Sequence, residues 1–415
     1  MTRRNSILFF GIMWCAHVNA MNIVNTLWPY DTLIRPTFTN DYPWQIALYG
    51  EKGFHHAQGY NDDSHRVNVL HIWNAQQNAL AMLEGAPKDS PTYQLRSALL
   101  DSDNGTRGRF IIDGDLNLDF NFSLATRYFF ADDWSIGIYL PFYGMSLTNV
   151  TLTDLTPNQD NLDKLVRRLL TDNIVGNAQF LAGLHIGNWK RQGPGDLTIL
   201  IDWFRDFYQN KPFLQCVRVN WRVGLIVPTG VKENEDLIFA VPFGYDGSFA
   251  MPFGLGLDLT LGKHFKCGFD GQLTQIFGNE RCRRIKTQEN QTELFLFQKT
   301  KAYIDYGLVQ RFNLYIEFYN FLKGLSFVTG YQYLKRGAND ISLLTQEFST
   351  NIANTSPRLE EFTMHHMIIK GTYDFGVHNE DMRARPELSI YGRLPFNGMN
   401  SALIPTVGAV FSVDF

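Results

Sequence analysis

Residues 403–415 read LIPTVGAVFSVDF, and from Thr406 the chain alternates strictly. Val407, Ala409, Phe411, Val413 and Phe415 fall on one face, with Gly408, Val410, Ser412 and Asp414 on the other. A two-residue period is that of a β-strand, in which successive side chains point to opposite sides of the sheet. One face is apolar throughout and the other mostly small or polar. Such a strand needs a neighbour along each edge and an apolar medium or core against its Val and Phe face.

The same design recurs upstream. In RFIIDGDLNLDFNF, beginning at Arg109, the residues Ile112, Gly114, Leu116, Leu118, Phe120 and Phe122 alternate with Asp113, Asp115, Asn117, Asp119 and Asn121. Over residues 215–228, Val217, Val219, Trp221, Val223, Leu225 and Val227 oppose Cys216, Arg218, Asn220, Arg222 and Gly224. Leu255, Leu257, Leu259 and Leu261 oppose Gly256, Asp258 and Thr260, and Phe312, Leu314, Ile316 and Phe318 oppose Asn313, Tyr315, Glu317 and Tyr319. Arginines and carboxylates on one face of strands whose other face is Trp, Val and Leu must be solvated or ion-paired. In a sandwich they meet bulk water; in a barrel they line the lumen.

Composition separates these two cases. The 415 residues are 45% hydrophobic and only 19% charged, which excludes a disordered chain. Nowhere do eighteen apolar residues run consecutively, so no membrane-spanning helix is encoded. Aromatic residues reach 14%, a load suited to strands and membrane interfaces. Residues 1–20 have the form of a secretory signal peptide: Arg3 and Arg4, an apolar run from Ile7 to Trp14, then Val18, Asn19 and Ala20 before the cut. An exported chain without a spanning helix can occupy a bilayer only as a closed barrel, because every backbone group must be paired within the protein. The formal charge of −4 grows more negative once the leading arginines are removed, which argues against a nucleic-acid partner.

The expectation is therefore an all-β protein, a transmembrane antiparallel β-barrel of about 12–14 strands over residues 108–415. Long connections near 229–252 and 279–292 sit badly with a count of fourteen, because they fall on the side that should carry short turns. Residues 21–107 precede the barrel as a plug in its lumen, a periplasmic cap or a small soluble domain. One helix is predicted there, Val67 to Leu83, and a second, amphipathic one between Asp154 and Asn173, where Leu162, Leu165, Val166, Leu169 and Leu170 cluster. The closing strand should pair with the first strand near residues 108–122.

The closing strand, with its aromatic end, resembles that of bacterial outer-membrane β-barrels. The length of the mature chain, its N-terminal region and the strand tally resemble FadL-like outer-membrane transporters of hydrophobic compounds. That resemblance implies fourteen strands, an N-terminal hatch occluding the lumen, and exit of substrate through an opening in the wall. The segments NALAML, PTG at Pro228 to Gly230 and PFGYDG also resemble an uncharacterised group of bacterial barrel proteins.

The residues expected to line the lumen are Asp113, Asp115, Asp119, Arg218, Asn220, Arg222, Asp258 and Glu317. They provide polar walls of both signs that can tune solute passage or hold a plug through ion pairs. No catalytic residue, metal site or cofactor is indicated. The sequence has no G-x-S-x-G elbow, and the adjacent pairs His55-His56 and His365-His366 place their rings on opposite faces of a strand. Of Cys216, Cys267 and Cys282, two could form one disulfide, with Cys282 its most plausible member. The functional expectation is an outer-membrane channel or transporter for passive or gated uptake of small hydrophobic or amphipathic solutes. Its alternatives are a general diffusion porin and a structural or adhesive surface barrel. The expected partners are outer-membrane lipid and lipopolysaccharide, the barrel-assembly machinery and a small-molecule solute, in the outer membrane of a Gram-negative-type bacterium.

Overall fold

A computed structural model describes residues 28–37, 41–99, 102–378 and 383–415. The expected signal peptide, residues 1–20, lies outside the described residues. Twelve antiparallel strands form a closed meander in which each strand pairs with the next. They are β1 (Trp44–Gly53), β2 (Arg109–Ala131), β3 (Trp134–Asp154), β4 (Leu197–Tyr208), β5 (Leu214–Val227) and β6 (Ala250–Leu261). The circuit continues through β7 (Phe265–Ile276), β8 (Val309–Leu322), β9 (Leu325–Arg336), β10 (Phe362–Asp374), β11 (Arg385–Met399) and β12 (Thr406–Asp414).

Closure is made by β12 on β1, with Gln45 opposite Asp414 and Gly53 opposite Thr406. This corrects the partner expected for the last strand: β1, not the segment near 108–122, receives it, and β1 in turn pairs with β2 from Trp44–Tyr128 to Glu51–Asn121. The sequence places residues 44–53 with the plug, cap or small soluble domain, because WQIALYGEKG alternates only weakly, with Ala, Tyr and Gly blurring the two faces. The barrel thus begins within residues 21–107 rather than at 108.

The strand count is settled by Lys299–Asp305. It leaves the barrel and pairs with Asn279–Arg284 and Asp340–Leu343 in a separate three-stranded sheet. With twelve strands, short turns such as Asp132-Asp133 and Lys323-Gly324 gather at one end of the barrel, and the connections near 54–108, 155–196, 228–249, 277–308 and 337–361 at the other. We call these the turn end and the loop end.

The lipid-facing surface is the apolar face anticipated from the alternation. Leu48, Phe122, Leu124, Leu257, Phe269, Leu314 and Phe411 are each 40% or more exposed. Their neighbours along each strand are buried and largely polar, among them Arg127, Asp202, Arg222, Asp270, Arg311 and Arg393. An apolar belt of this extent is stable only in hydrocarbon.

Strands β2 and β3 extend beyond the barrel at the loop end, where their inner face turns apolar. Phe110, Ile112, Leu116, Met145 and Leu147 pack there against Leu70, Leu170, Phe243 and Phe295 of the loops, forming a hydrophobic core that closes this end. The helix expected at Val67–Leu83 is replaced by two 3₁₀ turns, Val69–His71 and Ala81–Leu83. The α-helix among the described residues of this region is Pro91–Ala98 (α1), started by Ser90, whose hydroxyl accepts from the Tyr93 amide. The second expected helix does form, as Asn161–Val166 (α2), continued by a wider turn and then by Ile174–Ala182 (α3). Asp160 and Asp163 cap α2 reciprocally.

Candidate functional site: the occluded lumen

Residues 28–37 lie inside the barrel, and their contacts run around the inner wall. The fixed point is Asp31, which is fully buried. Its carboxylate accepts from the Arg311 guanidinium at 3.0 Å, the Asn313 amide at 3.1 Å and the Gln332 amide. The Leu33 backbone N–H also donates to it, at 2.9 Å, and the Asp31 carbonyl receives the amides of Ile34 and Arg35, folding the segment into a single helical turn. A buried carboxylate is tolerable only when paired and fully hydrogen-bonded, and here β8 and β9 supply three side-chain donors.

Further contacts tie the segment to other strands. Arg222 on β5 donates to the Thr32 hydroxyl at 2.9 Å and pairs with Asp270 on β7. Lys370 on β10 donates to the Arg35 carbonyl at 3.0 Å, and Arg35 lies 3.8 Å from Asp202 on β4. Arg393 on β11 reaches the Trp28 carbonyl at 3.3 Å and pairs with Glu51 on β1 at 3.2 Å. The Arg311 guanidinium lies over the Trp28 ring, 4.5 Å from its centroid. Packing completes the fit: a Cβ on Gly330 of β9 would come within 2.9 Å of the Leu33 side chain, so a glycine there lets Leu33 touch the wall.

The structure splits the expected lumen residues into two groups. Arg218, Asn220, Arg222, Asp258 and Glu317 lie on the inner face. Arg218 stands opposite Asp258 in register and makes a two-pronged pair with Asp206, both contacts at 2.7 Å. Lys266 bridges Asp258 at 3.9 Å and Glu317 at 3.3 Å. Between residues 28–37 and the turn end, Glu317 helps line a cavity of about 250 Å³ with Thr37, Asp374, Arg385 and Glu387.

Asp113, Asp115 and Asp119 do not line the lumen. They point away from the interior on the extended part of β2, where Asp113 meets His71 at 3.4 Å, Asp115 meets Asn149 at 2.8 Å, and Asp119 meets Ser146 at 2.9 Å. The physical reason is twofold. Beyond the bilayer the interior is filled by the loops, so here the apolar face turns inward. A bulge in the β2–β3 pairing between Leu118 and Phe120 then restores the membrane pattern, so that Leu118 is buried while Phe120 and Phe122 face outward. Continuous alternation in the sequence conceals that reversal.

Sequence reasoning missed Asp31, Arg311, Gln332, Lys370 and Arg393. The strand residues carried a signal, since each is polar and two residues from another inward position. Asp31 carried none, because its partners are 280 to 301 residues away. Among the described residues no disulfide forms: Cys216, Cys267 and Cys282 are all free.

At the loop end the charges are concentrated. Arg281 and Arg283 converge on Asp246, and Arg358 pairs with Glu233. Burial lifts the Glu233 carboxyl to about 7, the opposing pull of Arg358 notwithstanding.

No family model and no curated protein sequence matches the chain. Among solved structures it is similar to an outer-membrane channel from Pseudomonas putida F1, at 12% identity and a TM-score of 0.50, covering 92% of this chain and 100% of that one. It is more weakly similar to the Pseudomonas putida toluene transporter TodX, at 9% identity, 95% of each chain and a TM-score of 0.34. A Pseudomonas aeruginosa FadL homologue matches at 8% identity over 96% of this chain and 98% of that one, with a TM-score of 0.30. The first likeness identifies the fold as that of an outer-membrane β-barrel; the likeness to FadL-type barrels is weak.

Proposed function

We propose that this chain is an outer-membrane channel for small hydrophobic or amphipathic solutes, and that residues 28–37 are its plug. The turn end faces the periplasm and the loop end the outside, the arrangement usual for bacterial barrels with short periplasmic turns and longer outer loops. The observation that carries the reading is the way the lumen is filled. It is occupied by a separate segment held through Asp31, Thr32 and Arg35. A segment docked by polar contacts onto a polar wall can exchange those contacts for water and leave; interlocked wall side chains cannot. An open diffusion porin is disfavoured by the same occupancy.

A second reading, a structural barrel without transport, is favoured by the apolar core that closes the loop end. Purified protein in liposomes separates the two. Entry of benzenesulfonate, an amphipathic solute that a bare bilayer excludes, and of arabinose is followed for the wild type and for Asp31→Ala. The channel reading expects benzenesulfonate entry that rises in the variant. If neither probe enters faster than through protein-free vesicles in either form, the structural reading replaces it.

A further inference from the structure

Between the plug and the closed loop end lies a cavity of about 100 Å³. Solute sites usually measure roughly 300–1,000 Å³, so in this state the space suits a head group or a small ring. Trp73, Phe239 and Leu294 form an apolar wall, while Tyr245, Tyr306 and Arg336 contribute to its polar part. Tyr245 also faces the plug, lining a second small space with Trp28 and Tyr30.

The arginines around this cavity differ in one respect. Arg283 pairs with Asp246 at 2.8 Å, Arg284 with Asp236 at 2.8 Å, and Arg358 with Glu233. Arg336 is 4% exposed, yet among the described residues it has no carboxylate within 4.0 Å, and its Nε is buried without a hydrogen-bond partner. Its described side-chain contact is the face of Phe362, 5.1 Å from the ring centroid. One ring does not replace the hydration lost by a buried cation. Two hydroxyls stand within electrostatic reach of it, those of Tyr245 and Tyr306. The Tyr245 hydroxyl is buried without a partner, and that of Tyr306 accepts from Arg283 at 2.9 Å, leaving its own proton free to donate.

A guanidinium lacking a counter-charge and two available hydroxyl donors, set against an apolar wall, are complementary to one chemistry. We propose that Arg336, with Tyr245 and Tyr306, binds the carboxylate of a small amphipathic acid whose hydrocarbon part rests on Trp73, Phe239 and Leu294. The neighbouring carboxylates do not outweigh it: Asp246 and Glu233 are held by Arg283 and Arg358, Glu235 pairs with Arg281 at 3.1 Å, and burial raises the Glu293 carboxyl, favouring its neutral form. This deepens the channel reading by naming a solute class and rests on it for passage, but not for binding.

The test is calorimetric titration of the purified full chain in detergent at pH 7 with three probes: benzoate, its neutral analogue benzyl alcohol, and inorganic phosphate. Benzoate is expected to bind at least ten-fold more tightly than either of the others. Arg336→Gln should erase that advantage and Arg336→Lys should keep part of it, with the barrel still heat-modifiable on gels. Equal affinity for benzoate and benzyl alcohol in the wild type overturns the proposal, as does an advantage that survives Arg336→Gln. Phosphate binding as tightly as benzoate overturns the role of the apolar wall. Should Arg336→Gln fail to assemble, the wild-type probe comparison and Arg336→Lys still decide. Benzenesulfonate flux into liposomes is measured in parallel: no flux above that of protein-free vesicles, with the benzoate preference intact, overturns the channel reading alone and leaves the site standing.

Discussion

Replacing Asp31 with alanine should release the plug while leaving the barrel whole. The carboxylate and the Arg311 guanidinium are 0% and 1% exposed, so the substitution strands a buried cation and also removes the acceptor for Asn313 and Gln332. Removing one partner of a buried ion pair costs about 3–5 kcal/mol. The two amide contacts share the same carboxylate and are not added to that figure. The cost falls on docking, because none of the strand ladders involves Asp31 and water can reach Arg311 once the plug departs. At about 1.4 kcal/mol per ten-fold, the undocked population should rise roughly a hundred- to a few-thousand-fold. The assay is maleimide labelling of Leu33→Cys, a position 1% exposed, in a background with Cys216, Cys267 and Cys282 changed to serine. Labelling should accelerate by about two orders of magnitude or more, and Arg311→Ala should undo much of the effect, since the stranded charge is then gone. Labelling within about three-fold of the parent, or strictly additive effects of the two substitutions, would refute the reasoning.

Leu257→Arg places a cation on the lipid face of β6 and should cost about 2–4 kcal/mol if the position is near the bilayer midplane, read from folding titrations into lipid vesicles; Asn220→Arg, on the inner face, should cost less in the same titration. Asp113→Cys should react on intact cells with a membrane-impermeant maleimide, whereas Asn220→Cys, 8% exposed and inside the barrel, should react only after the plug is released. Asp163 is held below its ordinary value of 3.8 by the Gln159 amide, by Arg107 and by the Asp160 amide. Its unfolded form takes up a proton first as pH falls, so the contribution to the α2 loop is present above 3.8 and lost as pH drops through the lowered value. Hydrogen exchange across residues 160–182 should stay protected at pH 5 and lose protection towards pH 2, with Asp163→Asn already unprotected at pH 5.

The barrel was legible because lipid demands a regular pattern. A strand such as β5 or β12 must present an unbroken apolar face, and that regularity is written in single residues two apart. Strand β1 was obscured because Ala47 and Tyr49 sit on its inner face, erasing the contrast that marks β5. Lys299–Asp305 alternates as well as any barrel strand, yet pairs above the barrel, since pattern fixes which face is buried and not which neighbour covers it. Inward positions on β5, β6 and β8 were readable for the same reason the strands were. The plug was not: nothing in WPYDTLIR specifies that Asp31 will meet Arg311, because that contact depends on the register of the whole sheet.

The separation in sequence between the plug and its partners also imposes an order on assembly. β1 cannot complete its pairing until β12 arrives, and Asp31 has no counter-charge until β8 exists, 280 residues later. During synthesis and export the first-made segments must therefore wait, with an unpaired strand edge and a carboxylate without its counter-charge, for the last-made ones. Contacts this distant in sequence make folding slow, since the chain entropy of closing the loop is lost before any pairing rewards it. The carboxylate that holds the plug stays hydrated until then, so the lumen can be filled only after the wall that encloses it has been built.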